Sequence, residues 1–283
     1  MPLTKRPNQV DRRVVRLRGA DWSDDDDVVA AEEPMEIRVI WEAADGPAKT
    51  SIAITMRTPG DDFELAAGFL FGEALIRSRE DIVDIAYCKD EEEEQQFNIV
   101  TVTLRPGLIF DTSRLERNFF TTSSCGVCGK ATLDALEVQG CHVIPAGFRV
   151  SSETICGLPE KLREAQAVFD ATGGLHAAGL FSPSGKLIDL KEDVGRHNAL
   201  DKLIGAQTLK GNAPLSNVVL LLSGRASFEL LQKALVARIP VVASVGAPSS
   251  LAVELAEEFD ITLVGFVRKT GFNVYTGRER IER

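Results

Sequence analysis

The chain reads as an α/β protein with an α+β N-terminal part, and three features of the sequence carry that reading. From about residue 158 onward, strand-like apolar runs alternate with segments of helical period, the pattern of an α/β unit. Residues 217–222 form a nearly continuous apolar run, as expected of a strand covered on both faces. Before residue 105 the balance is different, with several strand patterns around one helical segment. A length of 283 residues allows two domains. The expected division is a flexible tail at 1–34, a small α+β domain at 35–145 and an α/β domain at 146–283.

Taken in order, residues 1–34 mix six basic residues with the acidic run 24–27 and offer little to bury. They predict a tail, holding at most a loosely docked strand at 14–17. Residues 36–41 and 51–57 alternate in the strand sense around a turn at Asp45-Gly46-Pro47, which predicts a hairpin with Ile52, Ile54 and Met56 on one face. Residues 61–76 are apolar nearly all round and open with an Asp61-x-x-Glu64 capping signature, so a buried helix is expected. Two strands follow at 82–89 and 97–104, separated by an acidic turn. In the second half, Leu158, Leu162, Ala165 and Phe169 mark a helix, 175–181 and 187–190 are strands, and Leu200, Leu203 and Ile204 mark the next helix. After the strand at 217–222 come helix 227–236, strand 241–244, helix 249–259, strand 261–266 and a short strand at 272–275. These elements predict a three-layer arrangement of sheet and helices.

Charge and composition exclude several classes. The formal charge is −10 and the pI about 5.0, opposite in sign to the footprint of a general nucleic-acid or acidic-membrane binder. No run of about 18 apolar residues is present, and the N-terminus lacks the apolar core of a signal peptide, so neither a membrane nor an export route is expected and the cytoplasm is the predicted location. Five cysteines, an odd number, fit a reducing compartment in which thiols stay free; Cys88 and Cys156 have apolar neighbours and read as packing residues.

Thr-Thr-Ser-Ser-Cys-Gly-Val-Cys-Gly-Lys (121–130) is different, because almost nothing in it fills volume. It reads as a loop that presents the sulfurs of Cys125 and Cys128. The helix-forming run 131–137 follows, and a helix N-terminus together with Lys130 favours thiolate over thiol. Three chemistries share the C-x-x-C spacing. A zinc site needs about four ligands, and the nearest others, Cys141 and His142, are adjacent in sequence, so no metal is expected. A thioredoxin-like dithiol calls for a strand before and a long helix after, whereas the helix here is short. A sulfur carrier needs an accessible, adaptable loop, which Ser123, Ser124, Gly126 and Gly129 supply. Beside these stands the plain alternative of two cysteines in a loop without a role.

Three strand-end loops suggest an anion site. Ser223-Gly224-Arg225-Ala226-Ser227 follows a buried strand and opens a helix, Gly246-Ala247-Pro248-Ser249-Ser250 does the same one unit later, and Arg268-Lys269 follows the next strand. Backbone amides, hydroxyls and guanidinium groups, with Ser223 and Arg225 foremost, can converge there on a phosphate-bearing ligand. Well-capped helix starts are the bland alternative. In 193–198, Asp193 is expected to act as an N-cap, while Arg196, His197 and Asn198 can hydrogen-bond a heteroaromatic or phosphate group. His176 is expected as a hydrogen-bonded core residue.

Together, the blocks at 122–130, 172–178 (Thr-Gly-Gly-Leu-His-Ala-Ala), 192–202 (Glu-Asp-Val-Gly-Arg-His-Asn-Ala-Leu-Asp-Lys), 223–229 and 246–252 resemble the formate dehydrogenase accessory protein family, FdhD. The resemblance runs from about residue 35 to the C-terminus. It implies a sulfurtransferase-type carrier that takes persulfide sulfur from a cysteine desulfurase and passes it to a molybdenum cofactor, the bis(molybdopterin guanine dinucleotide) form, before insertion into formate dehydrogenase. It places the persulfide on Cys125, with Cys128 beside it, and the binding of that guanine-nucleotide-containing cofactor at Phe266, Val267, Arg268, Lys269, Thr270 and Gly271. It also implies a cytidine-deaminase-like C-terminal domain with a mixed sheet. The deaminase equipment itself is missing, since His176 is followed by Ala177 and Ala178 rather than by x-Glu, and the C-x-x-C lies upstream of it. A homodimer is the expected assembly. The rivals are a dithiol oxidoreductase using both thiols and a chaperone that only binds and delivers the cofactor.

Metal analysis is expected to find no stoichiometric zinc, because Cys125 and Cys128 lack a well-spaced second ligand pair. One tightly held zinc per chain, lost in Cys125→Ala, would replace the carrier reading with a structural site.

Overall fold

The computed structural model describes residues 7–88, 96–108, 110 and 141–283. Cys125 and Cys128 lie outside these residues. The described chain is a mixed α/β structure with two principal sheets. Strands β1 (Gln9–Arg18) and β2 (Asp21–Ala30) form an antiparallel ribbon of their own. Strands β3 (Glu33–Ala43), β4 (Gly46–Arg57), β5 (Ile82–Tyr87) and β6 (Ile99–Leu104) make a four-stranded sheet in the order β4-β3-β6-β5, in which β3 and β6 are parallel. The second sheet has the order β13-β12-β11-β10-β8-β9, from β8 (His176–Phe181), β9 (Leu187–Asp193), β10 (Val219–Leu222), β11 (Val241–Ser244), β12 (Thr262–Arg268) and β13 (Gly271–Thr276). Its three central strands β10, β11 and β12 are parallel and the flanking pairings antiparallel. Two short strands, β7 (Val150–Ser151) and β14 (Ile281–Glu282), pair in parallel.

The apolar run at 217–222 is continuous because the residues of β10 alternate between two cores. Leu220 and Leu222 face one cluster and Val219 and Leu221 the other. The second cluster lies under helix α2 (Ser152–Ala165), through Ile155, Leu158 and Leu162. The first contains α1 (Asp62–Gly72), α4 (Arg196–Leu209), α5 (Phe228–Val236) and α6 (Ser250–Glu258), and it runs unbroken from Met35 in β3 to Leu263 in β12. Between α2 and β8 the one-turn helix α3 (Ala167–Thr172) begins after a break at Gln166, so the helix expected across 158–169 is two helices.

Several expectations change. Residues 9–30, read as a tail, form an antiparallel ribbon across which basic and acidic residues face one another: Arg16 pairs with Asp25 at 3.2 Å and Asp27 at 3.8 Å, and Arg13 with Asp24 at 3.6 Å. A register shift at Ile37/Arg38 lets Ile52 point into the core while Ile54 and Met56 face outward, at 72% and 47% exposure. Asp61 does not cap α1 through its side chain; it has a left-handed backbone, and its carboxylate meets Lys191 at 2.9 Å. The adjacent Asp62 takes the structural role instead. It accepts two hydrogen bonds from the fully buried Arg57, at 3.0 and 3.1 Å, and one from Tyr87 at 3.0 Å.

Helices α1 and α4 cross in backbone contact. A Cβ on Gly68 would fall 1.8 Å from the carbonyl oxygen of Asp201, and one on Gly205 would fall 1.8 Å from that of Glu64. No side chain larger than hydrogen fits at either position. Alanine gains up to about 1 kcal/mol of helix propensity, but the overlap forces the helices apart. Gly68→Ala and Gly205→Ala are each expected to destabilise the protein by about 3 kcal/mol or more, read as a lowered urea midpoint. An unchanged midpoint for either would contradict this crossing.

Candidate functional site

The three loops singled out in the sequence lie side by side at the C-terminal ends of β10, β11 and β12. Parallel pairing puts their strand ends on one edge, and backbone hydrogen bonds carry the pairing on past the strands. Gly246 N–H donates to Gly224 O at 2.9 Å, Phe266 N–H to Gly246 O at 3.0 Å, and Ala226 N–H to Ala247 O at 3.1 Å. The result is a shelf. On it Arg225, Phe266, Arg268, Lys269 and Thr270 are exposed and Gly271 is partly so, while Val267 is buried in the core beneath. Phe266 has a left-handed backbone, φ 54°, and is 42% exposed, an unusual state for a large apolar residue.

The shelf residues differ in how committed they are. Ser223 is tied to its neighbour strand, its Oγ accepting from Ala177 N–H at 2.9 Å. Arg268 donates to Val245 O and to its neighbour Val267 O, both at 2.8 Å, and so braces the second loop. Lys269 reaches Glu160 of α2 at 3.6 Å with both side chains exposed, a contact worth little in water. Helix α6 begins as expected, Ser249 Oγ accepting from Ala252 N–H at 3.3 Å. The Ser227 hydroxyl, by contrast, does not cap α5; it lies 3.3 Å from His197 Nε2.

The block at 192–202 proves to be a clasp. Gly195, not Asp193, is the N-cap of α4. Asp193 is wholly buried and accepts from Thr58 N–H at 3.1 Å, Gly195 N–H at 2.8 Å and Asn198 Nδ2 at 3.1 Å, with Lys202 Nζ at 2.6 Å. Lys202 also donates to Thr58 O at 2.7 Å, and Asn198 Nδ2 to Met56 O at 2.7 Å. In these bonds the partners of Asp193, Asn198 and Lys202 outside the block are Met56 at the end of β4 and Thr58 just after it, so these residues join the two principal sheets. Asn198 is consumed here, and His197 turns instead toward Ser227 and Glu229 on the shelf side. Glu192 holds α3 through the N–H groups of Val168 and Phe169, at 3.1 and 2.9 Å.

A second buried set follows one turn on. Lys233 lies 2.8 Å from Asp201 and 3.7 Å from Glu73. Burial pushes the carboxyls of Asp201 and Glu73 above their ordinary range, against the pull of Lys233. For Lys233 burial works downward, but the two carboxylates outweigh it and the ammonium is held above the usual lysine value. The sequence reading missed Asp201, Lys202 and Lys233. The available signal was charge at positions of α4 and α5 that lie among apolar neighbours.

At the shelf's inner end, His197 Nε2 meets Glu229 Oε2 at 3.0 Å, and that hydrogen bond keeps the Glu229 carboxyl below its usual range. His176 is half-buried at the start of β8, beside Gly224, rather than in the core. Burial first, then the nearby Arg196 and His197, push its imidazole below the ordinary value. Cys88, Cys141 and Cys156 are partly buried free thiols, and burial raises the Cys141 thiol. Among the described residues no group of three or more His, Cys, Asp and Glu is arranged to hold a metal, and no helix is long and apolar enough to cross a membrane.

Fold and shelf together define a mixed α/β protein with basic side chains on a strand-end edge. The chain belongs to the FdhD/NarQ family, whose model matches residues 30–282. A sulfur carrier protein FdhD from Streptomyces avermitilis is 50% identical over 274 residues, covering 95% of this chain and 94% of that one. The protein of the same name from Mycobacterium tuberculosis is 47% identical over 277 residues, covering 95% and 97%. The crystal structure of a candidate formate dehydrogenase accessory protein from Desulfotalea psychrophila superposes with a TM-score of 0.73 at 26% identity, covering 98% of this chain and all of that one.

The clasp predicts a specific stability pattern. Lys202→Met leaves Asp193 buried without its counter-ion and is expected to cost about 3–5 kcal/mol in urea unfolding. Adding Asp193→Asn should recover part of the loss, because the neutral amide removes the stranded charge. Additive losses in the double variant would refute the pairing.

Proposed function

We propose that the protein is a cytoplasmic sulfur carrier for molybdenum cofactor maturation and serves a formate dehydrogenase. In this reading the Cys125 thiolate attacks the terminal sulfur of a cysteine desulfurase persulfide. A new sulfur–sulfur bond forms on Cys125, the donor's own sulfur–sulfur bond breaks, and the desulfurase cysteine leaves as a thiolate. The terminal sulfur then passes to the bis(molybdopterin guanine dinucleotide) cofactor, which is substrate rather than resident group. The observation that carries the proposal is that one family match, across residues 30–282, spans both the Cys125–Cys128 stretch and the strand-end shelf. The relatives' standing as sulfur carrier proteins supports the sulfur chemistry.

The shelf supports the ligand half. Arg225, Arg268, Lys269 and Thr270 bring positive charge and a hydroxyl to one edge, and the exposed Phe266 offers an apolar face to a base. Ser223 and Arg268 hold the loops in register, while Gly271 opens β13. The cytidine-deaminase-like arrangement belongs to the same proposal. Its support is the mixed order of the six-stranded sheet, with helices on both faces.

Two measurements test the halves separately. Incubation with a desulfurase and cysteine, followed by intact mass, should show one added sulfur that is lost in Cys125→Ala and kept, at reduced yield, in Cys128→Ala. The reverse pattern would move the carrier role to Cys128, and loading in both variants would remove it from this loop. By calorimetry GDP should bind the wild-type chain, and Arg225→Ala should weaken it at least about tenfold, the loss of one charge-assisted contact. No binding of GDP would overturn the ligand half.

A further inference from the structure

The ribbon of β1 and β2 is left without a task by the sulfur carrier function. The family match begins at residue 30, so nearly all of the ribbon lies outside the matched stretch. Its root is closed by Ala31 N–H, which donates to Asn8 O at 2.9 Å, and β2 packs there against α3. From that root the ten paired residues of each strand reach roughly 34 Å, at about 3.4 Å per residue.

The two faces of this arm differ. Cross-strand partners share a face, so Arg13, Val15 and Leu17 lie on one face with their partners Asp26, Asp24 and Trp22. Arg16 and Arg18 lie on the other, where both reach Asp25 and Arg16 also reaches Asp27. The first face is covered at its root, where Ala30 stands over Gly174; a Cβ on that glycine would lie 3.8 Å from the Ala30 methyl. Toward the tip the same face is open, with Trp22 69%, Val15 63% and Leu17 50% exposed. Three large apolar side chains side by side in water mark a contact surface.

Size, charge and place say what covers it. Even wholly buried, these three side chains supply on the order of a few hundred Å², against roughly 800 Å² per partner in a stable complex of standard size. That suits a partner that binds and leaves. The ribbon carries six aspartates against four arginines. On the apolar face Asp26 has no ion-pair partner among the described residues, and the exposed Arg13–Asp24 contact at 3.6 Å is loose. A second copy would set this acidic excess against itself, whereas a basic rim complements it. Gly174, at the root, lies two residues before His176, which stands against Gly224 of the shelf. The arm is therefore rooted beside the edge from which the cofactor would leave.

We infer that the open face of the ribbon is a docking surface for the client enzyme that receives the cofactor, and that it engages an apolar patch bordered by lysine or arginine side chains. The inference rests on the carrier reading, whose client it places. Trp22 is the anchor, Val15 and Leu17 flank it, and Asp24 and Asp26 orient the partner.

The test measures binding of the full chain to cofactor-free formate dehydrogenase from the same organism by interferometry, beside persulfide loading from a cysteine desulfurase. Wild type should bind reversibly, and more weakly as salt rises. Trp22→Ala should weaken binding at least about tenfold, the loss of a central aromatic anchor. Asp24→Lys combined with Asp26→Lys should weaken it as well, and this double variant carries the test if Trp22→Ala disturbs the ribbon. Loading should stay within about twofold throughout, because the ribbon takes no part in the sulfur chemistry. Unchanged client binding in both variants would overturn the inference. Impaired loading with client binding intact would assign the ribbon to the sulfur donor, and a dimer that becomes monomeric in Trp22→Ala by ultracentrifugation would assign it to a second copy; either overturns the inference. A wild-type chain that loads sulfur yet does not bind the client also overturns it and leaves the carrier reading intact. Failure to load sulfur removes the carrier reading and this inference with it.

Discussion

The contact on which the rest of the molecule depends is the crossing of α1 and α4 at Gly68 and Gly205. There two backbones touch, with a carbonyl oxygen of each helix where the other's side chain would be. Such an approach turns α4 into an interior element, wedged between α1 and the β8–β9 edge of the six-stranded sheet. Residues Asn198 to Thr208 of α4 are all buried. A helix enclosed on all sides cannot place its polar residues in water, so each needs an internal partner. Lys202 turns to Asp193, Asp201 to Lys233, Gln207 to Asp189 at 2.7 Å, and Thr208 to the Ile204 carbonyl at 2.9 Å.

These partners determine how the two sheets are joined. The clasp between Asp193, Asn198, Lys202 and the 55–58 segment consists of directional bonds, whereas the apolar core around it is tolerant of small shifts. Removing one member strands a buried charge or donor, so the block behaves as a unit rather than as separable contacts. Its position matters for chemistry as well. The residues that follow Asp193 lead directly into the head of α4, so the bonds that fasten the sheets also set His197 against Ser227 and Glu229 beside the shelf.

The shelf owes its shape to backbone geometry more than to its side chains. Parallel strands deliver successive loops to one edge, and the hydrogen bonds between Gly224, Gly246 and Phe266 then lock those loops together. Arg268 spends its donors on carbonyls of the shelf itself, which makes it a brace, while Arg225 and Lys269 remain exposed to solvent. A rigid floor with exposed basic side chains is suited to binding an anion at little loss of conformational entropy.

How much was legible in the sequence follows from the range of the interactions involved. The α/β alternation, the doubly covered strand at β10 and the three strand-end loops were all readable, because each is encoded by periodicity or spacing within a few residues. The ribbon at 9–30 was not, since the charges that face one another across it meet only once the chain has turned. Nor was the outward turn of Ile54 and Met56, because one register shift reverses a face without altering the local pattern. Asp193 looked like a helix cap when read beside its own helix. Only tertiary structure, by bringing Thr58 from 135 residues away to its carboxylate, made it the centre of the clasp. Local sequence thus determined which elements form and where their loops emerge, and the packing of α4 against α1 decided which charged residues are interior and which face the shelf.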